Sequence, residues 1–172
     1  MKPEKLTTIK KELNGLSVQQ LTEICLRLSK YKKDNKELLN YLLYDAGDPI
    51  AYAGQVKAFL EEDFKTLPRQ YYQGSKTLRK ILRLMNRHAK YTASKQVELE
   101  LLIWFCTSFL KYGDTGTSHK PLQALFIRQL DKIKGLLPKL HEDLQFDYTQ
   151  EFEDLIEKTF EKVRWVSRSL YV

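Results

Sequence analysis

The segment Leu101–Leu110, with the sequence LLIWFCTSFL, is the longest apolar run of the chain. Glu100 precedes it and Gly113 follows it, so the run fits a helix that extends from Ser94 to Tyr112. A helix that is apolar around most of its circumference is usually covered by neighbours on several sides. Because a membrane-spanning helix needs about 20 apolar residues, this run of about ten predicts a buried core helix and no membrane insertion.

The same helical spacing of apolar residues recurs through the rest of the chain, and no stretch alternates apolar and polar residues as a strand would. Between these helical periods lie residues that favour helix ends, including capping-box pairs. The predicted helix starts are Ser17, Asp34, Asp48, Gly74-Ser75, Ser94, Thr117 or Ser118, and Asp147, with a short helix from Leu6 before them. The sequence therefore predicts an all-α fold of about eight helices.

The predicted helices are joined mostly by short connections. Connections of about two to six residues leave no room for long crossovers, so consecutive helices must run antiparallel. We therefore expect stacked helical hairpins or a compact bundle, formed as a single domain over residues 1–172. Leu26-Arg27-Leu28 and Leu82-Arg83-Leu84 are both followed by a basic, tyrosine-containing segment and then by an apolar helix. This echo makes a HEAT-like helical repeat an alternative arrangement.

The two cysteines indicate a reducing environment. Cys25 and Cys106 each lie within an apolar helical pattern, where a thiol behaves as a small hydrophobic group. Two cysteines this far apart match neither a disulfide framework nor a zinc-ligand spacing, so we expect two free, buried thiols. The first six residues, MKPEKL, lack the apolar stretch of about 7–15 residues that a secretory signal contains. Together these features predict a cytoplasmic protein.

Positive charge is concentrated in one segment of the chain. The formal net charge is +7, yet residues 64–97 contain nine basic and no acidic side chains, whereas residues 1–63 contain ten of each. Residues 98–172 contain ten basic and twelve acidic side chains. A helix turns by about 100° per residue, which places six cations of the fifth predicted helix on one face, opposite its apolar residues. We call these six the basic stripe: Lys76, Arg79, Lys80, Arg83, Arg87 and Lys90.

The basic stripe is the candidate binding site. Like charges at helical spacing repel one another by a few tenths of a kcal/mol per pair, so an anionic group is expected nearby. One interpretation is a plain solvated face or an internally paired one: residues 142–157 contain seven acidic and no basic side chains, and can cover the stripe in the same molecule or face it in a dimer. The interpretation we favour is a non-catalytic helical interaction module that offers the stripe to an acidic protein partner or to a second copy.

A nucleic-acid backbone is the alternative partner. Tyr71, Tyr72 and Tyr91 flank the stripe and offer rings for base stacking. If about five cations met phosphates of duplex DNA, log K would fall with log salt at a slope of about −4 to −5. However, no homeodomain, zinc-finger or RRM signature is present, and the acidic C-terminal part disfavours extended contact with DNA.

The sequence contains no catalytic or metal-ligand signature. His88, His119 and His141 are far apart and none forms a His-Glu-x-x-His pair, so no metal or cofactor is expected. The loop Gly113–Lys120 brings together Asp114 and His119, and an enzyme's site would lie there. The glycine and hydroxyl residues of this loop are explained as helix caps. We therefore assign no catalytic residue, and an enzyme is the third class of function.

Four stretches are similar to those of a known protein family. They are Leu16–Ile24 (LSVQQLTEI), Tyr31–Leu39 (YKKDNKELL), Phe59–Phe64 (FLEEDF) and Tyr112-Gly113-Asp114 after the apolar helix. In these stretches the chain resembles a family of uncharacterised bacterial all-helical proteins, known as a domain of unknown function. The resemblance implies an all-helical fold and a bacterial, cytoplasmic setting, and it carries over no catalytic or binding residue.

Overall fold

The computed structural model describes residues 2–171, and these residues contain α-helices and short helical turns but no strand. The all-α prediction is confirmed. No helix among the described residues is both long enough and apolar enough to span a bilayer. The helices are α1 Leu6–Asn14, α2 Val18–Tyr31, α3 Lys33–Asn40, α4 Pro49–Lys65, α5 Tyr71–Thr92, α6 Lys95–Tyr112, α7 Lys120–Leu136 and α8 Glu142–Lys162.

The chain divides into two compact units, one that ends at Gly47 and one that begins at Asp48. In the first unit α2 packs against α3, and the Asn35 side chain donates a hydrogen bond to the Leu28 carbonyl at 2.9 Å. None of the residues of α1, α2 or α3 is buried. The prediction that Cys25 is buried is therefore wrong, because α2 has no cover over its thiol. The single-domain expectation stays a prediction.

Helix α6 is the centre of the second unit. Helices α4, α5, α7 and α8 all pack against it. Leu99, Leu101, Phe105 and Phe109 of α6 are completely buried, so the prediction of a central apolar helix is confirmed. Cys106 is buried on the same helix as predicted, and burial raises the pKa of its thiol far above the ordinary value.

Several predicted helix starts are confirmed by their capping bonds. The Ser17 hydroxyl accepts a hydrogen bond from the Gln20 amide at 3.3 Å, and the Gln20 side chain accepts one from the Ser17 amide at 2.9 Å. Asp48 and Ser94 each accept a bond from the amide three residues later, as N-cap residues do. These hydrogen bonds between residues three apart stabilise the first turns of α2, α4 and α6.

The predicted start of α8 is wrong. The helix begins at Glu142, and the His141 ring accepts a hydrogen bond from the Asp143 amide at 3.4 Å, so Asp147 lies inside the helix rather than at its cap. Acidic side chains in a first turn are favoured by the helix dipole, which explains why the helix begins earlier.

Two other predicted caps are also wrong. Helix α3 begins at Lys33 without a side-chain cap, and Asp34 lies in its first turn. Before α7, the Thr117 hydroxyl accepts a hydrogen bond from the His119 amide at 3.2 Å and thereby shapes the loop, while His119 occupies the N-cap position without a side-chain cap bond.

Helix α5 begins three residues before the predicted Gly74-Ser75 start. The Gly74 amide donates to the Gln70 carbonyl at 2.8 Å, so Gly74 is already part of the helical ladder. A Cβ atom at Gly74 would lie 2.7 Å from the Pro68 carbonyl oxygen. Glycine is therefore required here by the close approach of the preceding loop, and it does not mark a helix end.

Replacement of this glycine tests that close approach. We expect Gly74→Ala to lower the free energy of unfolding by about 1–3 kcal/mol, because the added methyl group collides with backbone. The matched control is Gly54→Ala on α4, where an added Cβ meets nothing within 4 Å. This control should raise the free energy of unfolding by about 0.5–1 kcal/mol, as alanine does in a helix interior. Denaturant unfolding followed by circular dichroism measures both, and equal effects of the two changes would contradict the account.

Candidate interaction surface

The basic stripe lies on one face of α5. Leu78, Ile81 and Met85 on the opposite face are buried to 1% exposure or less, and α5 packs through that side against α4, α6 and α7. Arg87 is half-buried, and the other five stripe residues are exposed. The helical arrangement that the sequence predicts for these six residues is therefore present.

Four stripe residues form no ion pair within the part of the chain that the structure describes. Among the described residues 2–171, no carboxylate forms an ion pair with Lys76, Arg79, Arg83 or Lys90. Three of these four, together with neighbouring side chains, line a surface groove of about 490 Å³. The residues that line this groove, called here the α5 groove, are Tyr72, Lys76, Thr77, Arg79, Lys80 and Arg83.

Lys80 is paired within the chain. Its Nζ atom lies 2.9 Å from Oδ2 and 3.1 Å from Oδ1 of Asp63, at the C-terminal end of α4. Exposed pairs of this kind contribute only about 0–1 kcal/mol. The Asp63 carboxylate therefore borders one side of the stripe, whereas Glu61 accepts a hydrogen bond from the Tyr112 hydroxyl at 3.4 Å.

The acidic segment 142–157 does not neutralise the four unpaired cations. It lies in α8, which packs against α6, whereas α5 packs against α4, α6 and α7. The carboxylates of α8 form no ion pair with these cations in the part of the chain that the structure describes. The internal interpretation of the stripe therefore does not account for Lys76, Arg79, Arg83 and Lys90.

The three tyrosines near the stripe differ in position. Tyr72 is 75% exposed and lines the α5 groove beside the cations. Tyr71 is 48% exposed, and its ring is parallel to the ring of His119 at 5.9 Å between centroids. The ring of Tyr91 contacts His88 edge-on at 5.4 Å. Tyr72 is thus the aromatic residue that shares the groove with the cations.

The loop at residues 113–120 borders a cleft of about 340 Å³ lined by Arg69, Tyr71, Asp114 and their neighbours. Asp114 Oδ1 accepts a hydrogen bond from the Gly116 amide at 3.2 Å. His119 does not line this cleft, and its Nδ1 atom is buried without a hydrogen-bond partner among residues 2–171. Asp114 and His119, which mark the loop where an enzyme's site would lie, therefore do not both line this cleft.

A polar cluster that the sequence analysis missed connects three helices of the second unit. Lys57 of α4 forms an ion pair with Glu100 of α6, and the Tyr148 hydroxyl of α8 donates a hydrogen bond to Glu100 Oε1 at 2.7 Å. The Gln96 side chain donates to the Tyr148 oxygen at 3.0 Å. These partners lie 43–52 residues apart in sequence, so no local motif marks them.

The cluster shifts the pKa values of its members. Burial raises the pKa of Glu100, but the hydrogen bonds from Lys57 and Tyr148 and the charge of Lys57 outweigh burial, so the pKa lies below its ordinary value. Burial and the hydrogen bond to Glu100 raise the pKa of Tyr148 to about 12. Burial and the charge of Glu100 raise the pKa of Glu151, one turn further along α8.

Carboxyl groups with pKa values displaced in opposite directions occur in acid–base catalysis. Neither the α5 groove nor the cleft at residues 113–120 includes Lys57, Glu100 or Glu151 among its lining residues. We therefore interpret the cluster as a clamp that holds α4, α6 and α8 together.

Removal of one hydroxyl tests the clamp. We expect Tyr148→Phe to lower the free energy of unfolding at neutral pH by about 1–2 kcal/mol, because Glu100 loses a donor to its charged form. A carboxyl whose pKa is lower in the folded state stabilises the fold at pH values above its ordinary pKa of 4.5. That contribution is lost as the pH falls through the folded-state pKa. The difference from wild type should shrink on acidification, and a gap that stays constant with pH would contradict the clamp.

For Glu151 the dependence of stability on pH has the opposite sign. Its raised pKa stabilises the fold only while the carboxyl is protonated, and this contribution is lost as the pH rises through the folded-state pKa. We expect Glu151→Gln to raise the melting temperature slightly at neutral pH, since the carboxyl is only partly buried, and to have less effect in acid. Glu12→Gln, at an exposed position of α1, is the control and should leave the melting temperature unchanged. A lower melting temperature for Glu151→Gln at neutral pH would overturn this assignment.

No protein-family model matches the chain, and no curated protein or solved structure matches it either. What the chain does is therefore inferred from the charge and geometry of its own residues.

Proposed function

We propose that the chain is a non-catalytic helical interaction module that binds an acidic protein partner through the basic stripe of α5. The observation that carries the proposal is the set of four exposed stripe cations that form no ion pair within residues 2–171. Like charges at this spacing destabilise the free molecule by a few tenths of a kcal/mol per pair. An anionic partner removes that repulsion, and the positive face also attracts the partner during diffusional encounter.

The width of the stripe favours a narrow acidic segment as the partner. The cations occupy one face of a single helix, and Asp63 lies against Lys80 on one side of it. A nucleic-acid duplex is wider than one helix and would bring its phosphates over the Asp63 carboxylate of α4. A single acidic helix or extended segment can lie along the stripe without that repulsion.

Single-stranded nucleic acid is the second candidate partner. Tyr72 is 75% exposed and lies in the same groove as Lys76 and Arg79. An exposed ring beside cations suits base stacking, which contributes about 1–3 kcal/mol per base where it occurs. The α5 groove therefore offers both the cations and the exposed aromatic ring that single-strand recognition uses.

We place this activity in a reducing, cytoplasmic compartment. Both Cys25 and Cys106 are free thiols, and Cys25 is exposed. An exposed free thiol persists where the environment keeps it reduced, which is consistent with the cytoplasm.

A charge reversal tests the proposed function. We expect a fluorescent oligoglutamate peptide to bind the wild-type chain and to bind Arg79→Glu/Arg83→Glu at least about tenfold more weakly, which corresponds to about 1.4 kcal/mol. Fluorescence anisotropy measures both affinities. Arg128→Glu/Lys132→Glu makes the same change of charge at two exposed positions of α7, and this control should keep wild-type affinity.

The outcomes separate the two candidate partners. Equal peptide binding by the stripe variant and wild type would overturn the proposal, provided circular dichroism shows the same helicity. Binding of oligo(dT) that Tyr72→Ala weakens, in the absence of peptide binding, would favour single-stranded nucleic acid instead.

A further inference from the structure

A second groove, of about 570 Å³, runs along α8. Its floor contains Phe152 and Ile156, which are buried, and Phe160, which is half-buried. Its edge carries three carboxylates at intervals of four residues: Glu153, Glu157 and Glu161. Side chains four residues apart lie on the same side of a helix, so these carboxylates form one row above an apolar floor. We call this the α8 groove.

Two of the three carboxylates in this row have no partner among residues 2–171 and are available to a basic side chain of another molecule. Glu157 and Glu161 form no ion pair or hydrogen bond through their side chains among residues 2–171, while Glu153 accepts one hydrogen bond from Gln150 at 3.0 Å. The groove also contains one basic residue, Arg168, whose guanidinium group lies over the Phe160 ring at 5.2 Å. The groove therefore combines an apolar floor with two unpartnered carboxylates.

The α5 groove has the complementary features. Three cations, Lys76, Arg79 and Arg83, follow the exposed ring of Tyr72 along one helix face. At about 1.5 Å of rise per residue, the seven steps from Lys76 to Arg83 span about 10 Å, and the eight steps from Glu153 to Glu161 span about 12 Å. The two rows therefore match in length and have opposite charge.

We propose that the acidic partner of the basic stripe is a second copy of this chain, with α5 of one copy docked in the α8 groove of the next. The inference rests on the proposed function and names its partner. Lys76, Arg79 and Arg83 face the row of carboxylates, and Tyr72 packs on the apolar floor. Exposed aromatic residues that enter an apolar pocket commonly dominate the energy of an interface.

The contact joins two different surfaces, so association is head-to-tail. One helix against one groove buries less area than the about 1,600 Å² of a standard stable interface. Self-association is therefore expected to be weak, dependent on concentration and sensitive to salt, because the ion pairs at its edge are exposed.

Neutralisation of either surface tests the proposal. In sedimentation velocity over a concentration series, the mass of the wild-type particle should rise with concentration. Arg79→Gln/Arg83→Gln and Glu157→Gln/Glu161→Gln should each weaken association at least about tenfold. Arg128→Gln/Lys132→Gln and Glu12→Gln/Glu23→Gln remove equal charge at other exposed positions, and these controls should associate as wild type does.

Mixing distinguishes a head-to-tail contact from a general charge effect. The stripe variant Arg79→Gln/Arg83→Gln retains the α8 groove, and the groove variant Glu157→Gln/Glu161→Gln retains the stripe. An equimolar mixture should therefore form one-to-one pairs and no larger species. A chain that carries Arg79→Glu, Arg83→Glu, Glu157→Lys and Glu161→Lys together should regain association, since the charges are exchanged.

A wild-type chain that stays monomeric at every concentration would overturn the inference. Association of the groove variant that is as strong as that of wild type would overturn it as well. This failure can be told apart from failure of the proposed function. The groove variant keeps the stripe and should bind the oligoglutamate peptide like wild type. Peptide binding through the stripe by a strictly monomeric chain would leave the proposed function standing and exclude the second copy as partner.

Discussion

The burial of one face of α5 is the constraint on which the proposed surface depends. Leu78, Ile81 and Met85 are almost completely excluded from solvent. Full burial of such side chains stabilises a fold by about 1.5–3 kcal/mol each, whereas repulsion between neighbouring cations costs a few tenths of a kcal/mol per pair. Apolar burial therefore decides which side of α5 faces inward, and the cations must face solvent even though they repel one another.

Local sequence patterns predicted the parts of the structure that depend on local interactions. The apolar run from Leu101 to Leu110 predicted the central helix, because the helical period and the apolar composition are both contained in the segment itself. The basic stripe followed from the same period, since helical geometry fixes which residues share a face. The caps at Asp48 and Ser94 depend on a bond to an amide three residues away, and they too were predicted.

The caps predicted at Asp34, Thr117 or Ser118, and Asp147 are wrong although capping is a local interaction, and the other features that sequence patterns missed depend on contacts between distant segments. The partners Lys57, Glu100 and Tyr148 come from three helices, and nothing near any of them in sequence marks the cluster. Gly74 resembled a helix start because glycine followed by serine is common at helix ends. In the structure, glycine is required at this position because the Pro68 carbonyl oxygen leaves no room for a Cβ atom. Cys25 had an apolar helical pattern around it, but periodicity alone does not show whether another element covers that face.

The central helix also explains why charges of opposite sign stay apart within one molecule. Helices α5 and α8 both pack against α6, each through apolar residues, and α8 buries Leu155 and Ile156 in doing so. Bringing the stripe against the carboxylates of α8 within one chain would require one of these helices to leave the core, and the lost burial would exceed what surface ion pairs contribute. Screening at physiological salt limits the interaction of exposed charges to a range of about 8 Å. Close contact with another molecule would neutralise the unpaired cations, and this is the contact that we propose for the stripe.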